Sequence, residues 1–247
     1  MKHTLETKQT RVPESLNSQM KIPGSLPFGA EIGEDGVWRQ LLTRVPDIVD
    51  IPALFLDRDG VIVEEVHYLH KAADMRLMPG AARVISNANI RGVPVIMVTN
   101  QAGIGRGHFG WQEFIDVQEA ILDALADNGA YVNAVFACPH HSEGQPPYNH
   151  KDHPARKPNP GMLLAAAEVM PIDLSDSWIV GDRAGDMGAA KNAGCAGGVH
   201  VKCGHGSAVG ERDAANALRT VAFDVQGAMS IDDAEALIPL LNDIIED

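Results

Sequence analysis

The feature that most constrains this fold is a series of short apolar runs separated by helical patterns. The runs cover residues 53–56, 93–98, 132–137, 178–180 and 197–201. They are apolar throughout rather than alternating, which is typical of strands buried on both faces of a sheet. Strands that alternate with helices predict an α/β fold, a Rossmann-like doubly wound parallel sheet with helices on both faces.

The helical patterns between the runs end at residues that commonly stop helices. We expect helices over 81–88, 111–125, 162–169 and 189–193, where Gly92, Asn128-Gly129 and Gly194 mark ends. A further surface helix is predicted over 231–245, with apolar residues at helical spacing.

The polar first 45 residues are interrupted by proline and glycine. They predict an N-terminal extension over 1–45, draped over the domain or partly disordered, with one helical turn at Trp38, Leu41 and Leu42. The remainder, 46–247, is expected to be a single domain.

Composition excludes several functional classes. The 20 basic and 33 acidic side chains give a net charge of −13, which disfavours a nucleic-acid partner. No apolar run reaches the length of a membrane span, and the N-terminus lacks the pattern of a secretory signal. Three cysteines are too few for a disulfide framework. We therefore expect a cytoplasmic protein.

Polar residues follow the predicted strands where each strand ends. Asp57 and Asp59 follow the first strand, Thr99 ends the second, Lys157 lies after the third, and Asp182 follows the fourth. Because ligands bind at the carboxyl ends of parallel strands, these residues predict one site. Carboxylates suit Mg²⁺, a lysine suits phosphate, and a carboxylate can serve as a nucleophile, so the set favours phosphoryl transfer.

In this order, Asp57-x-Asp59-Gly60, Thr99, Lys157 and Gly181-Asp182-x-x-x-Asp186 resemble the four motifs of the haloacid dehalogenase superfamily of phosphatases. The resemblance implies that Asp57 is the nucleophile and Asp59 the general acid/base. It implies that Thr99 and Lys157 bind the phosphoryl group, and that Mg²⁺ lies on Asp57, Asp182 and the Asp59 carbonyl. Asp186 is expected to support the site, either holding Lys157 or beginning a helix, rather than to bind Mg²⁺.

Longer motifs narrow the resemblance. Residues 55–60, 99–107, 138–141 and 156–162 are similar to the phosphatases of D-glycero-D-manno-heptose 1,7-bisphosphate. The gaps between motifs leave no room for a cap domain, so specificity is expected from loops 61–78, 101–110 and 138–156. The resemblance implies that the following residues contact the substrate: Arg58, Tyr68, Asn100, Gln101, Arg106, Arg156 and Arg183.

A cluster of soft ligands lies just before Arg156. Cys138, His140, His150 and His153 have a plausible spacing for structural Zn²⁺, although such a cluster is often only a polar loop. The related phosphatases carry C-x-H and then C-x-C here, whereas this chain has His153 and Ala155 in place of the later cysteines. One ligand is then missing unless His150 or His141 replaces it.

The prediction is a Mg²⁺-dependent phosphatase of a small sugar bisphosphate in carbohydrate metabolism, acting through a phosphoaspartyl intermediate as a monomer. Histidinol-phosphate phosphatase is the nearest alternative, because its family shares much of the pattern. A polynucleotide 3′-phosphatase and a non-catalytic binding protein are more distant alternatives.

Overall fold

An eight-stranded sheet forms the centre of the molecule. The computed structural model describes residues 20–43 and 50–242. The strands are β1 (Ala30–Ile32), β2 (Trp38–Leu41), β3 (Ile51–Leu56), β4 (Val95–Asn100), β5 (Ala134–Cys138), β6 (Ile172–Gly181), β7 (Gly197–Val201) and β8 (Asp224–Ala228). Their order across the sheet is β1-β2-β5-β4-β3-β6-β7-β8.

Helices connect most of these strands. They are α1 (Ala81–Ile90), α2 (Ala102–Gly105), α3 (Trp111–Asp127), α4 (Gly161–Val169), α5 (Ala184–Ala193), α6 (Glu211–Asn216) and α7 (Ile231–Ala234). Short 3-10 turns cover Ala72–Asp74, Gly204–Ser207, Glu235–Leu237 and Pro239–Leu241. In the described part of the chain, no helix has the length and apolar character needed to cross a bilayer.

The strands from β3 to β8 pair in parallel, which confirms the predicted doubly wound α/β sheet. The chain passes from β3 to β4 and β5 on one side, and then crosses back to β6 on the other side of β3. This reversal makes β3 the topological switch point, beside which ligands bind in such sheets. Asp57 is the first residue after β3.

Side chains of the central strands alternate between two apolar cores. Leu54 and Leu56 pack into one core with residues of α1, α3 and α7. Ala53 and Phe55 pack into the other with residues of α4 and α5. The period of two in an extended chain sends alternate residues to opposite faces, so the continuous apolar run is buried on both sides.

The helical turn predicted at Trp38, Leu41 and Leu42 is wrong, since Trp38–Leu41 is strand β2. It pairs antiparallel with β1 and β5 at the edge of the sheet. Trp38 is fully buried, stacks on Trp111 with ring centroids 5.7 Å apart and meets the edge of Phe114. Pairing and aromatic packing decide the strand, and neither is visible in so short a segment.

Two further differences lie in the last quarter of the chain. The helix predicted over 231–245 is wrong, because only Ile231–Ala234 is α-helical and two 3-10 turns follow it. Pro239 begins the second turn; its ring cannot continue a helix, and it lacks the N–H that a helix interior needs. Strand β8 was not predicted, and residues 243–247 lie outside the described residues.

Candidate active site

The predicted strand-end residues meet at the switch point beside β3. The N–H of Asp57 donates to the Val180 carbonyl of β6, which joins the ends of two neighbouring strands. Asp182 follows β6, and Thr99 lies near the end of β4. We call the four buried charged residues Asp57, Lys157, Asp182 and Asp186 the floor of the site. Their side chains are between 1% and 11% exposed.

Lys157 holds the floor together through three short contacts. Its Nζ lies 2.7 Å from Asp57 Oδ1, 2.6 Å from Asp186 Oδ1 and 2.7 Å from the Val98 carbonyl oxygen. Since an ammonium has three N–H groups, all of them are accepted by protein oxygens. A phosphoryl group that reached Lys157 would have to replace one of these acceptors.

Asn100 fixes the backbone of Lys157. Its side-chain amide donates to the Lys157 carbonyl at 3.1 Å, and its side-chain oxygen accepts the Lys157 N–H, also at 3.1 Å. This pair ties the end of β4 to the segment that precedes α4. The amide of Asn100 therefore places Lys157, and the substrate contact that the resemblance implies for Asn100 stays a prediction.

Asp186 has two contacts, one through each carboxylate oxygen. Besides Lys157, it accepts the backbone N–H of Arg183 at 2.9 Å, which is the capping interaction at the start of α5. Gly181 lies close behind it, where a Cβ would come within 2.2 Å of the Asp186 Cβ. The glycine therefore allows the buried carboxylate to approach Lys157.

Crowded carboxylates shift the ionisation of the floor. Burial raises the pKa of Asp57 to about 7, opposed by Lys157 and assisted by Asp186 and Asp59. Burial also raises the pKa of Asp182 to about 8, with Asp57 and Asp186 adding to the effect. Burial alone would lower the pKa of Lys157, but Asp186 and Asp57 outweigh it and raise that pKa. The floor therefore has one positive charge, that of Lys157, against three carboxyl groups.

The floor fits a divalent cation. Asp57, Asp182 and Asp186 each offer a carboxylate oxygen, and these oxygens lie within 4.8 Å of one another. Among the described residues, this is the one group of three or more acidic, histidine or cysteine side chains that meets this distance. Hard carboxylate oxygens are the ligands that Mg²⁺ prefers. Lys157 pairs with Asp57 and Asp186. A cation on Asp182 would therefore not have to displace this lysine.

Asp59 lies one residue beyond the floor and is held by its neighbours. Both of its carboxylate oxygens accept from Arg58, and one accepts from Gln101 Nε2 at 3.0 Å. Gln101 also donates to Thr99 Oγ1 at 2.9 Å. This network fixes the acid next to Asp57 and leaves it 19% exposed.

Arg58 lines the cavity above the floor and holds the neighbouring acid. Its side chain is 1% exposed, contacts both oxygens of Asp59 and lies 5.6 Å from the ring centre of Phe114. The guanidinium therefore positions Asp59. The substrate contact that the resemblance implies for Arg58 stays a prediction.

An open cavity of about 510 Å³ lies above the floor. Every predicted catalytic, magnesium and substrate residue is among the residues that line it. We call four of them, Tyr68, Arg106, Arg156 and Arg183, the rim. The lining residues that the sequence analysis did not assign to this site include Glu65, His67, His141, His205 and Glu211.

The rim is built from loops. Arg106 donates to the Tyr68 hydroxyl at 2.6 Å and contacts Glu143 at 2.6 Å and His141 Nε2 at 3.2 Å. Arg156 donates to the His140 carbonyl at 2.9 Å. The cavity therefore combines acids at its floor with guanidinium groups at its edge.

The predicted zinc ligands lie together outside the cavity lining. Cys138 Sγ is 4.0 Å from His153 Nδ1, and the rings of His140 and His153 stack with centroids 3.8 Å apart. His150 lies with its ring centroid 5.1 Å from that of His153. Within the described ranges, however, no three of their ligand atoms lie within 4.8 Å of one another. This geometry gives zinc no support.

The buried groups of this cluster have unlike surroundings. Burial raises the pKa of the Cys138 thiol to about 12. His140 Nε2 lies 2.7 Å from the Asp35 carbonyl oxygen, whereas the buried Nδ1 of the same ring has no hydrogen-bond partner among the described residues. The zinc site stays a prediction.

The unassigned lining residues come from two loops with weak sequence signals. Glu65 lies in the loop that follows the first motif, and His205 lies in a glycine-rich segment after β7. The N–H of His205 donates to Asp182 Oδ2 at 2.7 Å. The sequence signal for this contact is indirect. Strands β6 and β7 are parallel neighbours, so the segment after β7 begins at the same edge of the sheet as Asp182.

Fold and site together define a class of protein, the α/β enzymes that transfer phosphoryl groups with an acidic cluster at the switch point. Residues 154–228 match the model of the HAD-hydrolase-like family. A D-glycero-beta-D-manno-heptose-1,7-bisphosphate 7-phosphatase from Mesorhizobium japonicum is 45% identical over 163 residues, 66% of this chain and 75% of the relative.

Two solved structures are also similar. A protein from Mesorhizobium loti, assigned to the HAD-like phosphatases, is 37% identical with a TM-score of 0.76, covering 87% of this chain and 96% of its own. The D,D-heptose 1,7-bisphosphate phosphatase of B. bronchiseptica, complexed with magnesium and phosphate, is 28% identical with a TM-score of 0.64, covering 76% and 98%. This chain belongs to the phosphatases of the haloacid dehalogenase-like family.

Proposed function

We propose that this phosphatase removes the 7-phosphate of D-glycero-β-D-manno-heptose 1,7-bisphosphate. The observation that carries the proposal is the division of one cavity into an acidic floor and a cationic rim. A substrate with two phosphates needs a site of hydrolysis and a separate group of guanidiniums for the phosphate that stays. The relative from Mesorhizobium japonicum has this substrate in its name.

Asp57 is proposed as the nucleophile. Its carboxylate attacks phosphorus, the bond from phosphorus to the C7 oxygen breaks, and a phosphoaspartyl group forms. Asp59 gives its proton to the departing oxygen and then accepts a proton from the attacking water, whose oxygen displaces the aspartyl oxygen. Arg58 and Gln101 hold Asp59 in place for both transfers.

The phosphoryl oxygens are proposed to contact Lys157 and Thr99. Lys157 is placed by Asn100 and Asp186, so it keeps its position when one of its acceptors is exchanged for phosphate. The side chains of Asp57 and Asp182 and the backbone carbonyl of Asp59 would hold Mg²⁺. When bound, this cation supplies positive charge that offsets the negative charge of the transition state.

The experiment is a comparison of phosphate release from heptose 1,7-bisphosphate and histidinol phosphate in the presence of Mg²⁺. We expect kcat/KM at least about 100-fold higher for the bisphosphate, since a paired guanidinium–phosphate contact contributes several kcal/mol. Equal and low rates on both substrates would contradict the proposal. Mass analysis of the product distinguishes loss of the 7-phosphate from loss of the 1-phosphate.

Structural zinc on Cys138, His140, His150 and His153 is a separate proposal with a separate test. Metal analysis of protein purified without chelator should give about one zinc per chain if the cluster binds it. Less than about a tenth of a zinc per chain would show that the cluster is a polar loop. The Mg²⁺ proposal does not depend on the result.

A further inference from the structure

Two residues of the loop 61–78 have a backbone conformation that residues other than glycine rarely adopt. His67 has φ +53° and Tyr68 has φ +68°. Each such residue costs about 1–2 kcal/mol, so the surrounding contacts must hold the pair in place. This turn directs Tyr68 toward Arg106, whose Nη1 donates to the Tyr68 hydroxyl at 2.6 Å.

Glu65 makes the contact that closes this turn. Its Oε1 accepts the backbone N–H of His67 at 2.6 Å. The Tyr68 ring contacts the rings of His67 and His108, with centroids 4.6 Å away in both pairs. The acceptor at Glu65 thus fixes the turn that places the Tyr68 ring in contact with these two imidazoles.

The other oxygen of Glu65 faces the floor. Glu65 Oε2 lies 3.5 Å from His205 Nδ1, and the same nitrogen lies 3.6 Å from Asp182 Oδ2. The nitrogen Nδ1 therefore lies within 4 Å of both carboxylates. Asp182 also accepts the His205 N–H, so the imidazole and the backbone of one residue both meet the proposed metal ligand.

The surrounding glycines show how closely these groups approach. A Cβ at Gly204 would lie 2.5 Å from Asp182 Oδ2 and 3.4 Å from the Glu65 Cβ. Glu65 is 20% exposed, whereas its neighbour Glu64 is exposed and does not line the main cavity. The two adjacent acids therefore have different surroundings, which makes Glu64 a matched control.

We propose that Glu65 is a positioning residue that links the substrate side of the cavity to Asp182. One carboxylate oxygen holds the turn that presents Tyr68 and Arg106, and the other holds His205 against Asp182. The inference deepens the proposed function, and it rests on that function for the identity of the substrate. Glu65 acts through its neighbours and takes no part in bond making.

The test compares Glu65→Ala, Glu65→Gln and Glu64→Ala with the wild type. Glu65→Ala should raise KM for the sugar bisphosphate about fivefold, the value of one lost hydrogen bond. It should also raise the half-saturating Mg²⁺ concentration about tenfold, as loss of a contact to a metal ligand does. Glu65→Gln keeps an acceptor for His67 but loses the charge near His205, so KM should recover while the Mg²⁺ value stays raised.

Two results would overturn the proposal. One is a Glu65→Ala protein that matches Glu64→Ala in both constants, and the other is a Glu65→Gln protein that matches Glu65→Ala in both. A double-mutant cycle with Tyr68→Phe adds a readout that a merely structural role would not move. The KM effects of Glu65→Ala and Tyr68→Phe should be non-additive, and additive effects would contradict action through Tyr68.

The same variants separate this inference from the proposed function. If the wild type releases no phosphate from heptose bisphosphate, the proposed function fails. The link to Asp182 is then measured with Mg²⁺ alone, as the Mg²⁺-dependent rise in Tm, which should be smaller in Glu65→Ala than in Glu64→Ala. Equal rises would overturn the link, and if Glu65→Ala does not fold, Glu65→Gln replaces it in the comparison.

Discussion

The floor and the rim of the cavity differ in how their charges are held. At the floor, Lys157 and its two carboxylate partners have side chains 2–11% exposed. At the rim, Arg106 is 28% exposed and its partner Glu143 is 73% exposed. Charges interact strongly when water is excluded and weakly when solvent screens them. The floor is therefore suited to chemistry. The rim is suited to binding a substrate, because a substrate phosphate can replace the solvent-exposed partners of its guanidinium groups.

The largest expected effect is on activity at the floor. Asp57→Asn removes the proposed nucleophile and should lower kcat by at least about 1,000-fold. The fold should persist, because the neutral amide removes one of several crowded negative charges and Lys157 keeps Asp186. Phosphate release measures activity, and circular dichroism measures folding. Asp123→Asn, an exposed acid on α3, is the control and should keep full activity. Retained activity in Asp57→Asn would refute the phosphoaspartyl mechanism.

The second prediction compares buried and exposed ion pairs directly. Lys157→Met leaves Asp57 and Asp186 buried without their cation, which should lower the free energy of unfolding by about 3–5 kcal/mol. Arg106→Met removes the pair with the exposed Glu143 and a hydrogen bond to Tyr68, and should cost no more than about 1–2 kcal/mol. Urea denaturation of both variants measures the difference. Equal losses would contradict the distinction between floor and rim.

The floor was predictable from the ends of the strands and the rim residues from the resemblance of the longer motifs, but the loop contacts behind the rim were not. Asp57, Thr99 and Asp182 follow apolar strands, and parallel strands bring such positions to one edge whatever the loops do. The contacts of Glu65 and His205 depend on two loops meeting across the cavity, which no local pattern specifies. The resemblance implies a substrate contact for Arg58 and gives no sign that this side chain also holds Asp59. Its burial became evident only when Phe114 was placed beside it.

The same contrast applies to the fold. The central strands were predicted because a buried strand is apolar along its whole length. Strand β2 was missed because its four residues alternate in burial and depend on β5 and Trp111 for their conformation. The helix predicted from residue 231 is wrong because the helical spacing of apolar residues continues past Pro239, whereas a proline cannot occupy a helix interior.

The third prediction concerns Gly60, which joins the two motif acids to Asp182. Gly60 has φ +83°, and a Cβ there would lie 2.6 Å from Asp182 Oδ2. Gly60→Ala should therefore cost about 2–3 kcal/mol of stability, from backbone strain and from displacement of the carboxylate. Gly92 has φ +71°, and within the described part of the chain no atom lies within 4 Å of its Cβ position. Gly92→Ala should cost only about 1 kcal/mol by urea denaturation. Equal costs would show that Asp182 moves freely.

The smallest expected effect is the pH dependence of Mg²⁺ binding. Burial raises the pKa of Asp57 to about 7 and that of Asp182 to about 8, so without a cation both hold protons at pH 6. Mg²⁺ needs ionised carboxylates and must displace those protons, so its affinity should rise as the pH rises from 6 to 8. We expect about a tenfold gain, equivalent to about 1.4 kcal/mol, measured by isothermal titration calorimetry together with the protons released. In Asp182→Asn the gain should be smaller, because one titrating ligand is removed. Affinity that stays constant with pH in the wild type would mean that both acids are already ionised at pH 6, which would contradict their raised pKa values.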